Sequence, residues 1–436
     1  MTNTQPHTSK LHELAYDATN QCIQCGYCLP SCPTYISMGQ ESASPRGRIN
    51  LVKAAAEGKI DVTKDLAEPI DLCLGCRACE TACPVNVPYA HILESAKEVI
   101  TENEQEAGKT AKIKRLTLQH VFTNSNLMRM GGNFIWLYQV TGVQKVAAKM
   151  GLLDKFSPAM AALEHVMPTV ERPGKRPTRG TWLRAYGTTT ATVSFFTGCI
   201  SDAVMNKTNR RSVELLRTVG CDVYIPKTQN CCGALHSHQG DHKTAVTLAK
   251  ENIEAFEEVQ TDYIVNNAGG CGASLQEYEH LLTNEDSNWQ KRARLFSARN
   301  KDISEILVDC SPLPFKKNGP AVVTYQPSCH LTNVQKVTEA PRQLLKQIPG
   351  TQFVEMGQSD TCCASGGIYN LLHHEEANKI LDHKMDFARA TKAQVMIMSN
   401  PGCLLQMRLG IKRAGLDEEM EGMHLVDLLA ELCDIP

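Results

Sequence analysis

The sequence has no long apolar run and no excess of charge of one sign. Its formal net charge is −2, from 45 basic and 47 acidic residues among 436. This balance argues against a broad phosphate-binding surface, and so against nucleic acid as a partner. No segment approaches the roughly 18 consecutive apolar residues of a membrane-spanning helix. Any work at a membrane is therefore expected at its surface or through a partner.

Other familiar signals are also missing. Residues 1–10 are polar and have no apolar core, so they do not resemble a secretory signal, and we expect a cytoplasmic protein. No glycine-rich dinucleotide or phosphate motif follows a predicted strand, and no Ser/His/Asp arrangement is apparent. We therefore expect neither a flavin nor a nicotinamide in this chain.

Cysteine, by contrast, is abundant: the chain has 19, mostly in tight clusters. In a reducing cytosol, clustered cysteines indicate metal ligands rather than disulfides. Two runs share the spacing Cys-x-x-Cys-x-x-Cys-x-x-x-Cys-Pro. They are Cys22, Cys25, Cys28 and Cys32, and then Cys73, Cys76, Cys79 and Cys83.

This spacing is typical of ferredoxins with two [4Fe-4S] clusters, in which the fourth cysteine of each run reaches the other cluster. The predicted ligands are Cys22, Cys25, Cys28 and Cys83 for one cluster, and Cys73, Cys76, Cys79 and Cys32 for the other. Structural zinc is the alternative, but zinc sites usually pair two separate Cys-x-x-Cys knuckles.

The segment between the two runs is predicted to be helical. The sequence Pro-Arg-Gly-Arg at residues 45–48 precedes apolar residues at helical spacing, and residues 65–72 and 89–104 predict further helices. This insertion favours the helical, fumarate-reductase-like version of the two-cluster ferredoxin. Arg46 and Arg48 either offset cluster charge or dock a partner, or are solvated charges at a helix start.

Residues 111–184 contain no cysteine and form a predicted helical connector. Residues 127–153 are amphipathic, with an apolar bunch at 134–138. Packing in a helical core is favoured for this bunch over contact with a partner subunit or a membrane surface. Prolines at 168, 173 and 177 indicate a surface linker and a domain boundary.

The second half of the chain is a duplication. The cysteines of its first unit recur in the same order and at nearly the same spacing in the second. The matching sets are Cys199, Cys231, Cys232 and Cys271, and then Cys329, Cys362, Cys363 and Cys403.

Short β-branched segments precede these cysteines and alternate with helical patterns. They lie at residues 192–196, 222–225 and 263–265, and again at 322–325, 352–355 and 395–398. Such alternation predicts a parallel α/β sheet in each unit, with its cysteines converging at the carboxyl edge of the strands.

The expected fold is thus α+β with several domains. A helical two-cluster ferredoxin-type domain is predicted at residues 1–110, and a helical connector and linker at 111–188. Two cysteine-rich α/β units with parallel sheets are predicted at 189–312 and 313–436.

The eight repeat cysteines are candidate redox or metal-binding residues, since neighbouring side chains rarely both enter an ordinary core; incidental buried thiols are the alternative. Buried thiols are the favoured interpretation for Cys221, Cys310 and Cys433, which fall outside the repeat. Five histidines near the repeat cysteines are expected at the surface or behind the ligands. They are His236, His238, His330, His373 and His374.

A chain with clusters for single electrons and no organic cofactor is expected to accept electrons from a partner flavoprotein and to pass them on. The hard chemistry then belongs to the flavin. The final acceptor is left open, with a quinone among the candidates.

The sequence resembles the iron–sulfur subunits of glycolate oxidase (glycolate dehydrogenase) over nearly the whole chain. The resemblance lies in Cys-Ile-Gln-Cys-Gly-Tyr-Cys from Cys22, Pro-Arg-Gly-Arg-Ile from Pro45, and Cys-Arg-Ala-Cys-Glu-Thr-Ala-Cys-Pro ending at Pro84. The duplicated half looks like the paired CCG domains of heterodisulfide reductases. One departure is Ala364, which follows Cys362-Cys363 where the CCG motif expects glycine.

This resemblance implies a complex with flavin-binding subunits that oxidises glycolate to glyoxylate and passes electrons to a membrane acceptor. It implies eight cluster ligands at the positions assigned above. Ala364 leaves open whether the cysteine-rich units bind a further cluster. The alternatives are a lactate or glycerol-3-phosphate dehydrogenase subunit, a heterodisulfide reductase-like enzyme, and a redox-sensing protein. The expected location is the cytoplasm, or the inner face of the membrane through partners.

Overall fold

The computed structural model describes residues 13–103, 116–151, 157–310 and 312–436. Its N-terminal part is helical, as predicted. The α-helices there are α1 (Tyr16–Thr19), α2 (Pro33–Met38), α3 (Pro45–Ala56), α4 (Ala67–Asp71), α5 (Ala78–Thr81) and α6 (Tyr89–Asn103). A 3₁₀ turn at Glu41–Ala43 and a π turn at Val62–Leu66 complete this part.

Helix α3 begins at the Pro-Arg-Gly-Arg segment for local reasons. The Ser44 hydroxyl accepts a hydrogen bond from the Gly47 N–H at 2.9 Å, and Pro45 occupies the first helical position, where it leaves no donor unpaired. Position 47 must be glycine, because a Cβ there would collide with the backbone carbonyl of Glu41. Helix α3 then buries an apolar face, including Ile49 and Val52, in the same core as α6.

The connector contains α7 (Ser125–Val140), α8 (Val143–Lys149) and α9 (Pro158–Glu164), after a π turn at Leu118–Phe122. The prediction that residues 134–138 pack in a core is wrong for two of them. Phe134 is 63% exposed and Leu137 is 48% exposed, whereas the other three are half-buried. Helix α7 therefore presents an apolar face to solvent.

The first cysteine-rich unit has a five-stranded sheet in the order β1-β3-β2-β4-β5. All pairs are parallel except β1 with β3, and β1 comes from the segment that precedes the predicted unit. The strands are β1 (Thr181–Leu183), β2 (Ala191–Phe195), β3 (Cys221–Ile225), β4 (Tyr263–Asn266) and β5 (Asn300–Asp302). The helices are α10 (Cys199–Val204), α11 (Asn206–Thr218), α12 (Ala234–Ser237), α13 (His242–Glu257), α14 (Gly269–Gln276), α15 (Tyr278–Leu281), α16 (Ser287–Arg299) and α17 (Ile303–Asp309).

The second unit repeats this topology in a parallel sheet of order β7-β6-β8-β9. Its strands are β6 (Val322–Gln326), β7 (Gln352–Phe353), β8 (Val395–Met398) and β9 (Glu421–His424). Its helices are α18 (Cys329–Asn333), α19 (Glu339–Lys346), α20 (Tyr369–Leu372), α21 (His374–Ala390), α22 (Pro401–Arg413) and α23 (Leu425–Leu432). The predicted parallel α/β units are confirmed, and so is the fold class.

The two units share one hydrophobic core. Val193 and Val223 from the first sheet lie in the same buried cluster as Val323 and Leu344 from the second unit. The ferredoxin-type part is attached to the first unit through α6, where Lys97 Nζ donates to the carbonyl of His238 at 2.8 Å. The cysteine-bearing regions of all three parts are thereby held in fixed positions.

Candidate functional site

The eight cysteines of the N-terminal runs line two small cavities. The first cavity is bordered by Cys22, Cys25, Cys28 and Cys83, and the second by Cys32, Cys73 and Cys76; Cys79 borders both. Apart from Cys79, which the cavities do not separate, each cysteine borders the cavity of its predicted set, and the binding of clusters there stays a prediction. All 19 cysteines, each in the described part of the chain, are free thiols.

The two cysteine loops share one backbone conformation. In each run, the residues on either side of the second cysteine have a positive φ: Gln24 at 59° and Gly26 at 87°, then Gly75 at 63° and Arg77 at 59°. These left-handed residues turn the chain tightly, so the loop wraps around its cavity. Only two of these four positions hold glycine, so the sequence did not indicate that the two loops share this conformation.

Arg48 is a buried cation beside the second cavity. It is 1% exposed, and its Nε donates to the carbonyl of Pro69 at 2.6 Å, while both terminal nitrogens lie 3.2 Å from Thr34 Oγ1. Burial opposes its charge, but the Cys73 thiol and the Tyr89 hydroxyl outweigh this and raise the pKa of Arg48. Of the interpretations open for this arginine, the structure supports the one in which it offsets negative charge.

Arg46 has a different environment from Arg48. Its Nε is 2.7 Å from Glu41 Oε1, and its Nη1 donates to the Gln24 carbonyl in the first cysteine loop at 3.2 Å. It therefore ties that loop to the start of α3 from the outside.

The first unit brings its four predicted cysteines together. Cys199 begins α10 after β2, Cys231 and Cys232 follow β3, and Cys271 lies in α14 after β4. The Cys199 and Cys231 sulfurs are 3.5 Å apart. Hydrogen bonds from the Cys231 and Cys271 thiols, with the Ala234 N–H, hold the pKa of Cys232 well below its usual range. We call this set the first thiol group.

The second unit forms an equivalent second thiol group from Cys329, Cys362, Cys363 and Cys403. Hydrogen bonds from Cys362 and Cys403 lower the pKa of Cys363 well below its usual range, with the Ser365 N–H and the Lys384 ammonium adding to this. Burial in turn lowers the pKa of Lys384 to about 8.

Ala364 keeps the conformation that the glycine of the CCG motif would adopt. Its φ is 65°, and the equivalent Gly233 in the first unit has a φ of 86°. Both residues are in the left-handed region, which costs a non-glycine residue roughly 1 kcal/mol. The departure from the motif therefore leaves the local backbone conformation in place.

The second thiol group lies against the second ferredoxin-type cavity. His330 Nε2 is 2.9 Å from the Gly75 carbonyl, and the Asn333 amide donates to the Cys76 carbonyl at 2.9 Å. A small buried cluster fills the space between them. It contains Leu74, Cys362, Ala364, Tyr369, Ala377 and Ile380, with Cys76 and Cys329 packed against it.

A larger cavity, of about 590 Å³, lies between α6, the first unit and His330. Gly233 and Gly270, which border it, are the sequence neighbours of Cys232 and Cys271. Burial and the Glu277 carboxylate raise the pKa of Glu94, on its wall, to about 7. Sequence reasoning missed this site, because its lining comes from three distant segments with no common motif.

The remaining predicted residues have mixed outcomes. Cys221 and Cys433 are buried in the hydrophobic core and Cys310 packs against it, as the buried-thiol interpretation expected. Of the two positions expected for His236, the surface is wrong, because it is fully buried; it lies behind Cys232, with Nε2 2.9 Å from the Leu118 carbonyl. His238 and His330 contact each other through their rings, with centroids 5.2 Å apart. His373 and His374 contact Tyr369 and Asn378, respectively.

The residues present suit iron–sulfur clusters. The donors around the two N-terminal cavities are cysteine thiols, the usual ligands of such clusters, and a buried arginine offsets their charge. Within the described ranges, no three His, Cys, Asp or Glu side chains are grouped as ligands of a single metal ion.

Comparison with known families finds a match within the ferredoxin-type part, within the connector and within each cysteine-rich unit. The profile of a 4Fe-4S dicluster domain matches residues 18–87, and that of the linker region of the glycolate oxidase iron–sulfur subunit matches residues 109–167. The profile of a cysteine-rich domain, CCG, matches residues 193–276 and 323–408. The cofactors are therefore iron–sulfur clusters.

Whole-chain relatives agree with these profiles. The chain is 45% identical over 413 residues to a probable glycolate oxidase iron–sulfur subunit of Bacillus subtilis (strain 168), covering 94% of this chain and 93% of the relative. It is 28% identical to the glycolate oxidase iron–sulfur subunit of Escherichia coli (strain K12), covering 88% of each.

A third relative matches only part of the chain. Lactate utilization protein A of Halalkalibacterium halodurans is 34% identical over 54% of this chain and 96% of its own length. Together, the whole-chain similarity and the four profile matches lead to one conclusion: the chain belongs to the family of glycolate oxidase iron–sulfur subunits and serves as an iron–sulfur electron-transfer subunit of an oxidoreductase complex.

Proposed function

We propose that this chain carries electrons within a flavin-dependent glycolate dehydrogenase, which oxidises glycolate to glyoxylate on a partner flavoprotein. The proposal rests on one observation above all: the second ferredoxin-type cavity lies directly against the second thiol group. Redox sites in such contact favour passage of electrons along the chain. The subunit names of the whole-chain relatives support glycolate as the substrate.

The proposed ligands are Cys22, Cys25, Cys28 and Cys83 for the first [4Fe-4S] cluster, and Cys32, Cys73, Cys76 and Cys79 for the second. When bound, such clusters take up and release one electron at a time. The predicted domain boundaries, at residues 110, 188 and 312, remain part of the proposal. So does a cytoplasmic location, where thiols stay reduced.

The chain's own residues prepare these sites. Arg48 places a fixed positive charge beside Cys73 and Cys32, and this charge lowers the pKa of Cys73. Leu74 and Tyr369 fill the space between the second cavity and the second thiol group with apolar surface and exclude water from it. The hydrogen bonds of His330 and Asn333 hold this arrangement in place.

Co-purification tests the assignment to a complex. We expect the affinity-tagged chain to capture a flavoprotein from cells that contain it, and the captured complex to reduce a dye when glycolate is added. The Cys76→Ser variant should still capture the flavoprotein but lose most of the dye reduction. Glycolate-dependent dye reduction by the pure chain, without a flavin, would contradict the proposal.

A lactate dehydrogenase subunit is the second candidate, because lactate utilization proteins A match 54% of this chain. Comparing glycolate with lactate on the same captured complex separates the two. A heterodisulfide reductase-like activity of the thiol groups predicts disulfide turnover that disappears in Cys232→Ser or Cys363→Ser.

The number of clusters is decided by iron counting. Anaerobically purified chain should contain about eight irons if only the two ferredoxin-type sites are filled. A clear excess that falls in the Cys232→Ser or Cys363→Ser variant would place a further cluster in the corresponding thiol group.

A further inference from the structure

Helices α7 and α8 expose a row of large apolar side chains. Phe134 and Val140 are each 63% exposed, and Met150 is 61% exposed. In full, the row consists of Met130, Phe134, Leu137, Val140, Val143, Val146 and Met150, which we call the α7–α8 stripe. Its members recur three or four residues apart, so those within α7 and α8 follow one side of each helix, and Met150 directly follows α8. Exposed apolar surface of this kind indicates a binding surface.

The opposite side of α7 is held firmly to the first unit. Arg129 Nε is 2.6 Å from Asp202 Oδ2 in the first unit, and the side-chain amide of Gln139 donates to the carbonyl of Pro168 in the linker at 3.2 Å. Gly132 lies so close to Ala203 that a Cβ at position 132 would collide with its carbonyl. The stripe is therefore exposed on a helix whose other side is already packed against the rest of the protein.

The charge of this region has one sign. No aspartate or glutamate occurs from residue 125 to residue 151. Arg129 is engaged by Asp202, which leaves Lys145 and Lys149, both exposed on α8, as the cations beside the stripe. Basic residues beside apolar ones complement a surface that is both apolar and negatively charged.

A lipid surface fits this composition better than a protein surface does. The cores of protein interfaces are depleted of lysine and enriched in arginine, methionine and aromatic residues. The stripe has one phenylalanine and two methionines, but lysines rather than arginines lie beside it. Here Trp136 and Tyr138 are half-buried, and the Tyr138 hydroxyl is engaged inward, 2.6 Å from Glu164 Oε1. Apolar side chains flanked by lysine are typical of helices that lie in the interface of an anionic bilayer.

We propose that the α7–α8 stripe binds the surface of a bilayer rich in anionic lipid. The stripe inserts to the boundary between headgroups and acyl chains, while Lys145 and Lys149 contact lipid phosphates. Such contact lies along the surface; in the part of the chain that the structure describes, no helix is long and apolar enough to cross a bilayer. This direct attachment goes beyond the electron-transfer role and does not depend on it.

Vesicle sedimentation tests the proposal with the purified full-length chain. Vesicles of equimolar phosphatidylglycerol and phosphatidylcholine should bind the chain, phosphatidylcholine vesicles should bind it at least about tenfold more weakly, and added salt should weaken the binding. The double variant Lys145→Glu/Lys149→Glu should lose at least about tenfold in affinity for the anionic vesicles. Phe134→Ser/Leu137→Ser should lose more, about a hundredfold.

Matched controls come from α16, on the first unit. Leu295 is 58% exposed and Lys291 is also exposed, so Leu295→Ser and Lys291→Glu change comparable surface elsewhere and should bind anionic vesicles normally. Failure of the wild type to bind anionic vesicles, or unchanged binding of both stripe variants, would overturn the proposal. A self-association or flavoprotein capture that depends on the stripe, without vesicle binding, would overturn it too and assign the stripe to a protein.

Discussion

The side-chain amide of Asn333 donates a hydrogen bond to the backbone carbonyl of Cys76, at 2.9 Å. The same side chain accepts from Thr81 Oγ1 at 3.1 Å. Asn333 ends α18, the helix that Cys329 begins. One short helix thus carries a thiol of the second group and fastens the loop of the second ferredoxin-type cavity, so the two sites are positioned by shared contacts.

This relationship predicts that Asn333→Ala loosens the loop around Cys76. The variant loses both hydrogen bonds and leaves the Cys76 carbonyl without that donor, which should lower the free energy of unfolding by about 1–3 kcal/mol. Faster amide hydrogen exchange at residues 74–81 would measure the loosening directly. Asn288→Ala, at an exposed position on α16, is the control and should change neither quantity. Unchanged exchange in Asn333→Ala would contradict the proposed fastening.

Arg48 should tune the ferredoxin-type site that it borders. Replacing it by methionine removes a buried cation beside Cys73 and Cys32, and since added electrons are then less well compensated, the reduction potential of that site should fall. Arg48→Lys should retain part of the effect. A redox titration followed by electron paramagnetic resonance makes the measurement, with iron content checked in each variant.

Arg46→Met is the matched control for this prediction. Arg46 belongs to the same Pro-Arg-Gly-Arg segment, but it borders the first cavity and not the second, and its partners are Glu41 and the Gln24 carbonyl. Its replacement should shift the potential less than that of Arg48. Equal potentials in the wild type and Arg48→Met would refute the role assigned to the buried charge.

The sequence predicted those features that depend on local patterns. The spacing of the cysteines anticipated which of them border the same cavity, except for Cys79, which borders both. The segments predicted as strands before the repeat cysteines are strands, with ends that differ slightly from those predicted. Strand β5 (Asn300–Asp302) was not anticipated, because it is polar and gains its conformation from pairing with β4.

Features that depend on distant contacts were beyond sequence reasoning. The bond from Asn333 to Cys76 joins residues far apart in the chain, and nothing around either residue signals the other. Phe134 and Leu137 were expected to be buried but are exposed. An amphipathic pattern shows which side of a helix is apolar, but not whether a neighbouring element covers that side.

The adjacent glycines of α7 should respond to alanine in opposite directions. At Gly131 a Cβ would meet nothing within 4 Å, so Gly131→Ala should stabilise the protein by about 0.5–1 kcal/mol through the higher helix propensity of alanine. At Gly132 a Cβ would collide with the Ala203 carbonyl, so Gly132→Ala should destabilise the docking of α7. Thermal unfolding and proteolysis of the connector would measure both. The same sign for the two variants would show that α7 does not approach α10 this closely.

Glu94 should make the stability of the protein depend on pH. Its pKa in the folded protein is raised to about 7, chiefly by burial, whereas an unfolded chain has a glutamate pKa of about 4.3. At pH values between these two pKa values, Glu94 keeps its proton in the folded protein, whereas the unfolded chain has released it. Stability attributable to Glu94 therefore falls as pH rises through this window, and the full penalty applies above it.

Glu94→Gln removes this penalty while it keeps an acceptor for the Ser237 hydroxyl, which now donates to Glu94 at 3.2 Å. We expect the variant to match the wild type near pH 4 and to exceed its free energy of unfolding by up to about 3 kcal/mol at pH 8. Ser237→Ala should instead increase the loss of stability at high pH. It removes a hydrogen bond that lowers the pKa of Glu94, so the pKa difference between the folded and unfolded states becomes larger. Urea unfolding at several pH values would measure all three proteins. A stability difference between Glu94→Gln and the wild type that stays constant from pH 4 to pH 8 would mean that this carboxyl titrates alike in both states.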